Sequence, residues 1–363
     1  MLENALIRIL EQLAKGDRLS VSDREWLTHD LQTTVYSLSR LGLKTSDLNL
    51  ISKLSILIDE RSQFLQLVYP EILQSLIDHK IKFESPSLIF PLLWHYWLPL
   101  AQRLANQQSK IGRTFIEGLM GGQGTGKTTL GLVLNILLRH LGKTFLSISL
   151  DDLYKTYSDR QKLRDRRPQF IWRGPPNTHD IDLGIEVLGQ LRDRHPADPQ
   201  PIAIPRFDKS LHNGAGDRLD PEISNSADII LFEGWFVGLH PLPISAFRNY
   251  VPPILSESDR EFALECNANL YNYLPLWDYL DSLIVLKPED YQYSLQWRIE
   301  AEHKLIDAGK TGMSDAEITQ FVEYFWKALH PELFMSQMIE GESVDLVVEI
   351  SRSHLPTKIY FKK

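Results

Sequence analysis

The fold is decided by residues 115–130, which read FIEGLMGGQGTGKTTL. The apolar run Phe115–Met120 is typical of a buried strand, and a helical pattern follows from Thr128 to Leu141. Between them, residues 121–128 match G-x-x-x-x-G-K-[ST]. Glycines let backbone N–H groups curl around phosphate oxygens, and the N-terminus of the following helix adds partial positive charge. The sequence therefore predicts a phosphate-binding loop between a strand and a helix.

The residues of this loop limit the class of nucleotide enzyme. Lys127, which we expect on an exposed loop, can reach the β- and γ-phosphates, and the Thr128 hydroxyl can bind Mg²⁺. The dinucleotide pattern G-x-G-x-x-G does not fit these glycines, and the Asn-Lys-x-Asp signature of GTPases is absent. A kinase or another ATPase is left, with ATP and Mg²⁺ as cofactors. The predicted cofactor-binding residues are Gly121, Gly122, Gln123, Gly124, Thr125, Gly126, Lys127, Thr128 and Thr129.

Beyond the loop, short apolar runs alternate with helical patterns, which predicts an α/β fold with a mostly parallel sheet. Residues 155–220 interrupt this alternation. They are rich in Arg, Asp, Pro and Gly, so we expect an irregular segment with a functional role. The predicted strands are Phe115–Met120, Thr144–Leu150, Ile202–Ile204, Asp228–Phe232, Leu283–Leu286 and Val344–Ile350, and the clearest helices are Thr128–Leu141, Tyr291–Asp307 and Asp315–Leu329.

Residues 1–110 have helical periodicity and no motif that carries chemistry, so we expect a helical N-terminal region beside a kinase-like domain at 111–363. Ser22 and Glu25 have the spacing of a capping box that opens the second helix. The apolar stretch Leu88–Leu100 is too short to span a bilayer and contains two prolines. It predicts a buried helical segment and no membrane association.

Composition excludes several classes of protein. The chain has 363 residues and a net charge of −8, which disfavours broad binding to nucleic acid. Cys266 is its one cysteine, so an internal disulfide is impossible and a structural zinc site is disfavoured. The first residues lack the pattern of a signal or transit peptide. We therefore expect a cytoplasmic protein that acts on a small molecule, with no obligate protein partner indicated.

Carboxylates follow two of the predicted strands. Asp151 and Asp152 come after Thr144–Leu150, at the strand end where ligands bind in open α/β sheets. A carboxylate there can accept the proton of an attacking hydroxyl, although an Asp pair can also simply cap a helix. Glu233 follows the run Asp228–Phe232, in the position of an acid that binds Mg²⁺ beside a P-loop. The sequence thus predicts acceptor and metal sites next to the loop.

Several further short motifs accompany the loop and the two carboxylates. They are residues 149–154 (SLDDLY), 173–180 (RGPPNTHD), 207–210 (FDKS), 216–218 (GDR), 232–235 (FEGW), 296–298 (QWR) and 312–315 (GMSD). Together these motifs resemble the superfamily of phosphoribulokinase, uridine kinase and pantothenate kinase, and more narrowly the plant-type D-glycerate 3-kinases. The resemblance implies a P-loop kinase fold with five strands ordered 2-3-1-4-5 and transfer of phosphate from ATP to the 3-hydroxyl of D-glycerate. Two departures are Pro175, where the family usually has Asn, and Ala215, where it usually has Arg.

The resemblance also implies roles for individual residues. The family has one Asp before a variable residue, which places the base at Asp151 and the variable position at Asp152. Arg298 lies in a helical lid region, 290–330, where it could stabilise the transferred phosphoryl group or simply pair with Glu302 one helical turn away. The substrate-binding residues implied are His179, Asp180, Asp208, Lys209 and Arg218, with Arg173 and Arg206 as further cations in the same segment.

Two other functions stay open at this stage. One is a sister kinase that phosphorylates another small alcohol, such as a nucleoside or pantothenate. The other is a regulatory protein that binds ATP and acts through its N-terminal helices. Asp151 favours an enzyme, because a nucleotide sensor needs no base for an acceptor hydroxyl.

Overall fold

A computed structural model describes residues 2–33, 50–193, 200–249, 251–307, 309 and 312–362. The chain divides into two compact units. One comprises Met1–Gly112 and Thr128–Phe145, and the other comprises Arg113–Lys127 and Leu146–Lys363. The domain boundary predicted after residue 110 stays a prediction.

The first unit is helical in all its described elements. Helices α1 and α2 pack on the long helix α3 through buried leucines and isoleucines, among them Leu10, Leu31 and Ile58. Glu71 of α3 accepts hydrogen bonds from Arg139 and His140 of α6. The helices are α1 (Leu2–Ala14), α2 (Val21–Thr33), α3 (Leu50–Asp78), α4 (Ile89–Leu92), α5 (Leu98–Ile111) and α6 (Lys127–His140).

The start of α2 differs from the prediction. The helix begins at Val21, and Ser20 caps it, because the Ser20 hydroxyl accepts the N–H of Asp23 at 3.1 Å and donates to its carboxylate at 2.6 Å. The capping box predicted at Ser22 and Glu25 is therefore wrong by two residues.

The apolar stretch around Leu93–Trp97 is a buried π-helical turn between α4 and α5. The prediction of a buried helical segment there is confirmed. Among the residues described, no helix has the length and apolar character to cross a membrane.

The second unit is built on a mostly parallel sheet. Its strand order is β10-β9-β8-β1-β7-β2. β1 is parallel to β7 and β8, β8 is parallel to β9, and β10 is antiparallel to β9. The strands are β1 (Phe115–Gly121), β2 (Phe145–Ser149), β3 (Ile202–Ile204), β4 (Phe207–Asp208), β5 (Asp217–Arg218), β6 (Glu222–Ser224), β7 (Ile229–Gly234), β8 (Ser282–Pro288), β9 (Leu346–Ile350) and β10 (Pro356–Phe361).

The predicted order of five strands is confirmed by β2, β7, β1, β8 and β9, which lie in the order 2-3-1-4-5. Two details were not predicted. A sixth strand, β10, extends the sheet, and the run Ile202–Ile204 pairs with β6 in a separate two-stranded sheet. β1 is buried along its whole length, and β7 and β8 along nearly all of theirs, as expected of central strands covered on both faces.

The segment predicted to be irregular contains two helices, α7 and α8. Helix α7 escaped prediction because it has almost no apolar face; Thr156 caps it, and Arg160 is its one buried residue. The helices of the second unit are α7 (Tyr157–Arg166), α8 (Ile181–Asp193), α9 (Glu257–Asn269), α10 (Leu274–Trp277), α11 (Tyr293–Asp307), α12 (Asp315–Ala328) and α13 (Pro331–Glu340).

Candidate active site

The loop after β1 has the backbone that its glycines permit. Gly124 and Gly126 have φ angles of +82° and +91°, in the left-handed region that side chains rarely adopt. A Cβ atom on Gly124 would lie 2.5 Å from the ring of Trp297. The Thr125 hydroxyl donates to the Gly122 carbonyl at 2.8 Å and closes the loop. Conformation and packing therefore both require glycine at position 124.

The C-terminal part of the chain contacts this loop as well. Nδ1 of His354 lies 2.8 Å from the Gly124 carbonyl oxygen. The His354 ring stacks on Trp297 at 4.6 Å, and the Trp297 indole N–H donates to the carbonyl of Arg352. Sequence reasoning missed His354, because a histidine in a polar turn has no motif around it.

Lys127 is less exposed than predicted. Its side chain is 16% exposed, and its ammonium donates to the carbonyls of Gly121 at 2.7 Å and Gly122 at 3.2 Å. Burial lowers the pKa of Lys127, and the nearby carboxylates of Glu233 and Asp151 only partly oppose that shift. The expectation of an exposed loop lysine is wrong, because the loop curls around the side chain.

Glu233 lies at the end of β7, next to the parallel strand β1 that leads into the loop. Its Oε2 atom is 3.9 Å from the Lys127 ammonium and is buried without a hydrogen-bond partner among the described residues. An unpaired buried carboxylate oxygen beside a phosphate loop fits Mg²⁺, which prefers oxygen ligands. The described residues contain no group of three or more His, Cys, Asp and Glu that could hold a metal.

The two acids after β2 have different partners. They lie in a 3₁₀ turn, Leu150–Leu153, capped by Ser149. Oδ2 of Asp152 accepts the Ser149 N–H at 3.0 Å and pairs with Arg206 at 3.1 Å. Burial raises the pKa of Asp152, against the opposing effect of those two donors. Asp152 is thus engaged in capping and in an ion pair.

Asp151 has partners of its own. Oδ1 accepts the Tyr154 hydroxyl at 2.8 Å, and Oδ2 lies 2.6 Å from the Lys209 ammonium. Burial acts to raise the pKa of Asp151, but Lys209 and the Tyr154 hydroxyl outweigh it, and the pKa is lowered. The structure therefore brings together Asp151 and Lys209, two of the predicted site residues, and adds Tyr154, which was quoted in a motif but given no role.

His179 packs against the ring of Tyr154 and is only 1% exposed. The two rings stack at 4.5 Å, and His179 Nδ1 is 2.8 Å from the hydroxyl of Tyr273, which also accepts the Asn177 N–H at 3.0 Å. Burial lowers the pKa of His179 to about 3, so the ring is neutral at physiological pH. In this position His179 supports Tyr154, and the contact with substrate that was predicted for it stays a prediction.

Arg218 and Asp180 bind each other, at 2.8 Å. Arg218 also donates to the Tyr154 carbonyl, and Asp180 accepts the N–H of Leu183 in the first turn of α8. These contacts join the segments around Tyr154, Asp180 and Arg218. Both side chains have structural partners in addition to any role in substrate binding.

The loop from Lys209 to Gly216 joins β4 to β5. Asp208 accepts the N–H and hydroxyl of Ser210 at its start. At its end, Arg173 donates to the Gly214 carbonyl and Arg160 to the carbonyls of Ala215 and Gly216. Sequence reasoning missed Arg160, because nothing in the sequence distinguishes it from the exposed arginines of the same helix.

Arg298 pairs with Glu302 at 2.7 Å and lies over the ring of Phe321 at 5.9 Å. The alternative named from the sequence, an ion pair one helical turn away, is therefore present. Glu302 also accepts the N–H of Met313 at 2.9 Å, which connects α11 to the start of α12. A role for Arg298 at the transferred phosphoryl group stays a prediction.

Comparisons with known proteins identify similar kinases. No protein-family profile matches the chain. A protein of Arabidopsis thaliana named chloroplastic D-glycerate 3-kinase is 32% identical over 278 residues, which are 71% of this chain but only 59% of that protein. An uncharacterized kinase of Schizosaccharomyces pombe is 31% identical over 61% of this chain and 82% of its own length.

A solved structure shows that the fold is shared with a known kinase as well. The D-glycerate 3-kinase of Cryptococcus neoformans is 27% identical, superposes with a TM-score of 0.65, and covers 73% of this chain and 98% of its own. The phosphate loop, the carboxylates beside it and the strand order have the arrangement expected of a kinase for small molecules. The chain belongs to the family of P-loop kinases that includes the D-glycerate 3-kinases.

Proposed function

We propose that the protein transfers the γ-phosphoryl group of ATP to the 3-hydroxyl of D-glycerate and releases 3-phosphoglycerate. The observation that carries the proposal is the pairing of Asp151, a candidate base, with the exposed cation Lys209. D-Glycerate has a hydroxyl whose proton Asp151 can accept and a carboxylate that the Lys209 ammonium can bind. Relatives named as D-glycerate 3-kinases support the same choice.

On the nucleotide side, Lys127 and the loop N–H groups bind the phosphates. Glu233 would hold Mg²⁺ through its unpaired oxygen, and the loop motif would add the Thr128 hydroxyl as a second ligand. The metal supplies positive charge to the phosphate oxygens when it is bound. The Lys127 ammonium lies on the carbonyl of Gly121 and 3.9 Å from Glu233, beside the loop that would hold the phosphates.

On the acceptor side, Asp151 takes the proton of the 3-hydroxyl while the hydroxyl oxygen attacks the γ-phosphorus. The bond from that phosphorus to the oxygen of ADP breaks on the opposite side. Tyr154 holds the carboxylate of Asp151 in one orientation. Catalysis is then mainly positioning and electrostatic stabilisation, since no covalent intermediate with the protein is needed.

The test is ADP release with a panel of acceptors: D-glycerate, L-glycerate, pantothenate, uridine and ribulose 5-phosphate. We expect turnover with D-glycerate only, with 3-phosphoglycerate as the product identified by mass spectrometry and coupled enzymes. Turnover with uridine or pantothenate and none with glycerate would identify a sister kinase. ATP hydrolysis that ignores every acceptor would favour a regulatory nucleotide-binding protein.

A further inference from the structure

Both carboxylate oxygens of Asp151 are engaged. Oδ1 accepts the Tyr154 hydroxyl at 2.8 Å, and Oδ2 is paired with Lys209 at 2.6 Å. Each carboxylate oxygen keeps a further lone pair, but the Lys209 ammonium on Oδ2 makes that oxygen less basic towards the proton that a general base removes. The ion pair also lowers the pKa of Asp151. In this arrangement Asp151 is a weakened base, and departure of one partner would strengthen it for phosphoryl transfer.

The two partners differ in their freedom to leave. Tyr154 is buried, with its ring stacked on His179 and in edge contact with Phe207 at 5.0 Å. Lys209 is 61% exposed in its side chain and reaches Asp151 from a loop. An exposed lysine has several rotatable bonds and loses entropy when it is held in one geometry. Lys209 is therefore the partner that can move.

The backbone around Lys209 is held on both sides. Before the loop turns, Asp208 binds Ser210, and at its far end Arg173 and Arg160 hold three successive carbonyls. Release of Asp151 therefore needs only a swing of the Lys209 side chain, not a rearrangement of the loop.

We propose that Lys209 masks the base Asp151 and that the carboxylate of the acceptor unmasks it by binding the Lys209 ammonium. This inference rests on the proposed function. The negative charge of a hydroxy acid competes with Asp151 for the same cation, and the freed Oδ2 accepts the hydroxyl proton as the oxygen attacks phosphorus. A neutral alcohol cannot draw Lys209 away, so the base stays masked. Lys209 thus determines specificity for hydroxy acids through the rate of transfer as well as through binding.

The decisive experiment compares D-glycerate with D-glyceramide, which has nearly the same shape but no charge, in the wild-type protein and in Lys209→Met. In wild type we expect glyceramide to react roughly 10- to 100-fold more slowly, since a hydrogen bond to a charged group contributes roughly 1.5–3 kcal/mol. In Lys209→Met, kcat/KM for glycerate should fall, whereas kcat for glyceramide should rise about tenfold. A lysine that only binds the carboxylate predicts no rise with glyceramide, and that result would overturn the inference.

Two further variants complete the design. Lys209→Arg keeps a cation at the base, so glyceramide should stay slow. Lys162→Met is the matched control, because Lys162 is 63% exposed and paired at 2.9 Å with Asp159 rather than with Asp151. It should leave both rates unchanged.

A readout independent of activity separates this inference from the proposed function. Carbon NMR of the Asp151 carboxyl should show a higher pKa in Lys209→Met than in wild type, with or without a known acceptor. An unchanged pKa would refute the masking. Failure of wild type to phosphorylate D-glycerate would instead refute the substrate while leaving the NMR test in force.

Discussion

Asp151 and Asp152 are consecutive in the chain, yet their carboxylates have different partners among the described residues. Asp152 accepts the N–H of Ser149 and pairs with Arg206, so it belongs to the capping of its own turn. Asp151 binds Tyr154 and Lys209. This separation agrees with the assignment of the base to Asp151.

Asp151→Asn should therefore lose at least about 100-fold in kcat, because removal of a general base typically costs on the order of 10²–10⁴ in rate. Asp152→Asn should lose far less activity and about 1 kcal/mol of stability through its weakened cap. Steady-state kinetics and ATP affinity of the two variants, measured side by side, check this. Reversed effects would move the base to Asp152, and two mild effects would mean that transfer needs no base.

Lys127→Met should separate catalysis from stability. Loss of one electrostatic stabiliser costs about 10²–10³ in kcat. Burial lowers the pKa of Lys127, so keeping its charge in the folded protein costs free energy. We therefore expect a Tm equal to or above that of wild type. Lys110→Met, a change on an exposed part of α5, is the control. Near-normal kcat in Lys127→Met would show that the loop is not the phosphate site.

Tyr154→Phe removes the hydrogen bond to Asp151 and keeps the ring that stacks on His179. A hydrogen bond to a charged group is worth roughly 1.5–3 kcal/mol, so kcat should fall about tenfold or more while the KM for ATP stays the same. Tyr271→Phe, at a side chain exposed to solvent, should change neither constant. An unchanged kcat in Tyr154→Phe would mean that the orientation of Asp151 does not depend on its hydroxyl.

His179 predicts a pH dependence of stability. Its pKa is about 3 in the folded protein, against an ordinary value of 6.5. At a pH between these values, the unfolded chain binds a proton at His179 and the folded chain does not. The contribution of His179 to the free energy of unfolding therefore falls as the pH falls from 6.5 towards 3. The slope is at most about 1.4 kcal/mol per pH unit.

Denaturant unfolding of wild type and His179→Gln from pH 7 to 4 measures this slope. The variant should lose less stability on acidification than wild type does. His79→Gln, at an exposed helix end, should keep the wild-type slope. Equal slopes for wild type and His179→Gln would place the protonation of His179 in the ordinary range and contradict the burial argument.

The sheet and the loop could be predicted because their sequences carry strong local signals. β1 and β7 are apolar runs buried on both faces, and the spacing of the loop glycines is typical of a phosphate-binding loop. Strand β10 and helix α7 could not be predicted in the same way. β10 is a partly exposed edge strand, and α7 has charged residues on every side, so neither shows a clear period.

The candidate site could also be predicted only where the local sequence carries a signal. Asp151, Lys209 and Glu233 follow strands or motifs, which is why the sequence points to them. Tyr273 and Arg160 reach the site region from other segments through a hydroxyl and a guanidinium. Such supporting contacts depend on tertiary packing, and no local pattern reports them. His179 was singled out, but its burial under Tyr154 could be seen only in the fold.

The contact between His354 and Gly124 joins residues 230 positions apart. During synthesis, the phosphate loop emerges from the ribosome well before the turn that packs against it. At about 5–20 residues per second, that interval is roughly 10–45 seconds. The nascent chain therefore carries the complete sequence of the phosphate loop before the residues that pack against that loop have been made.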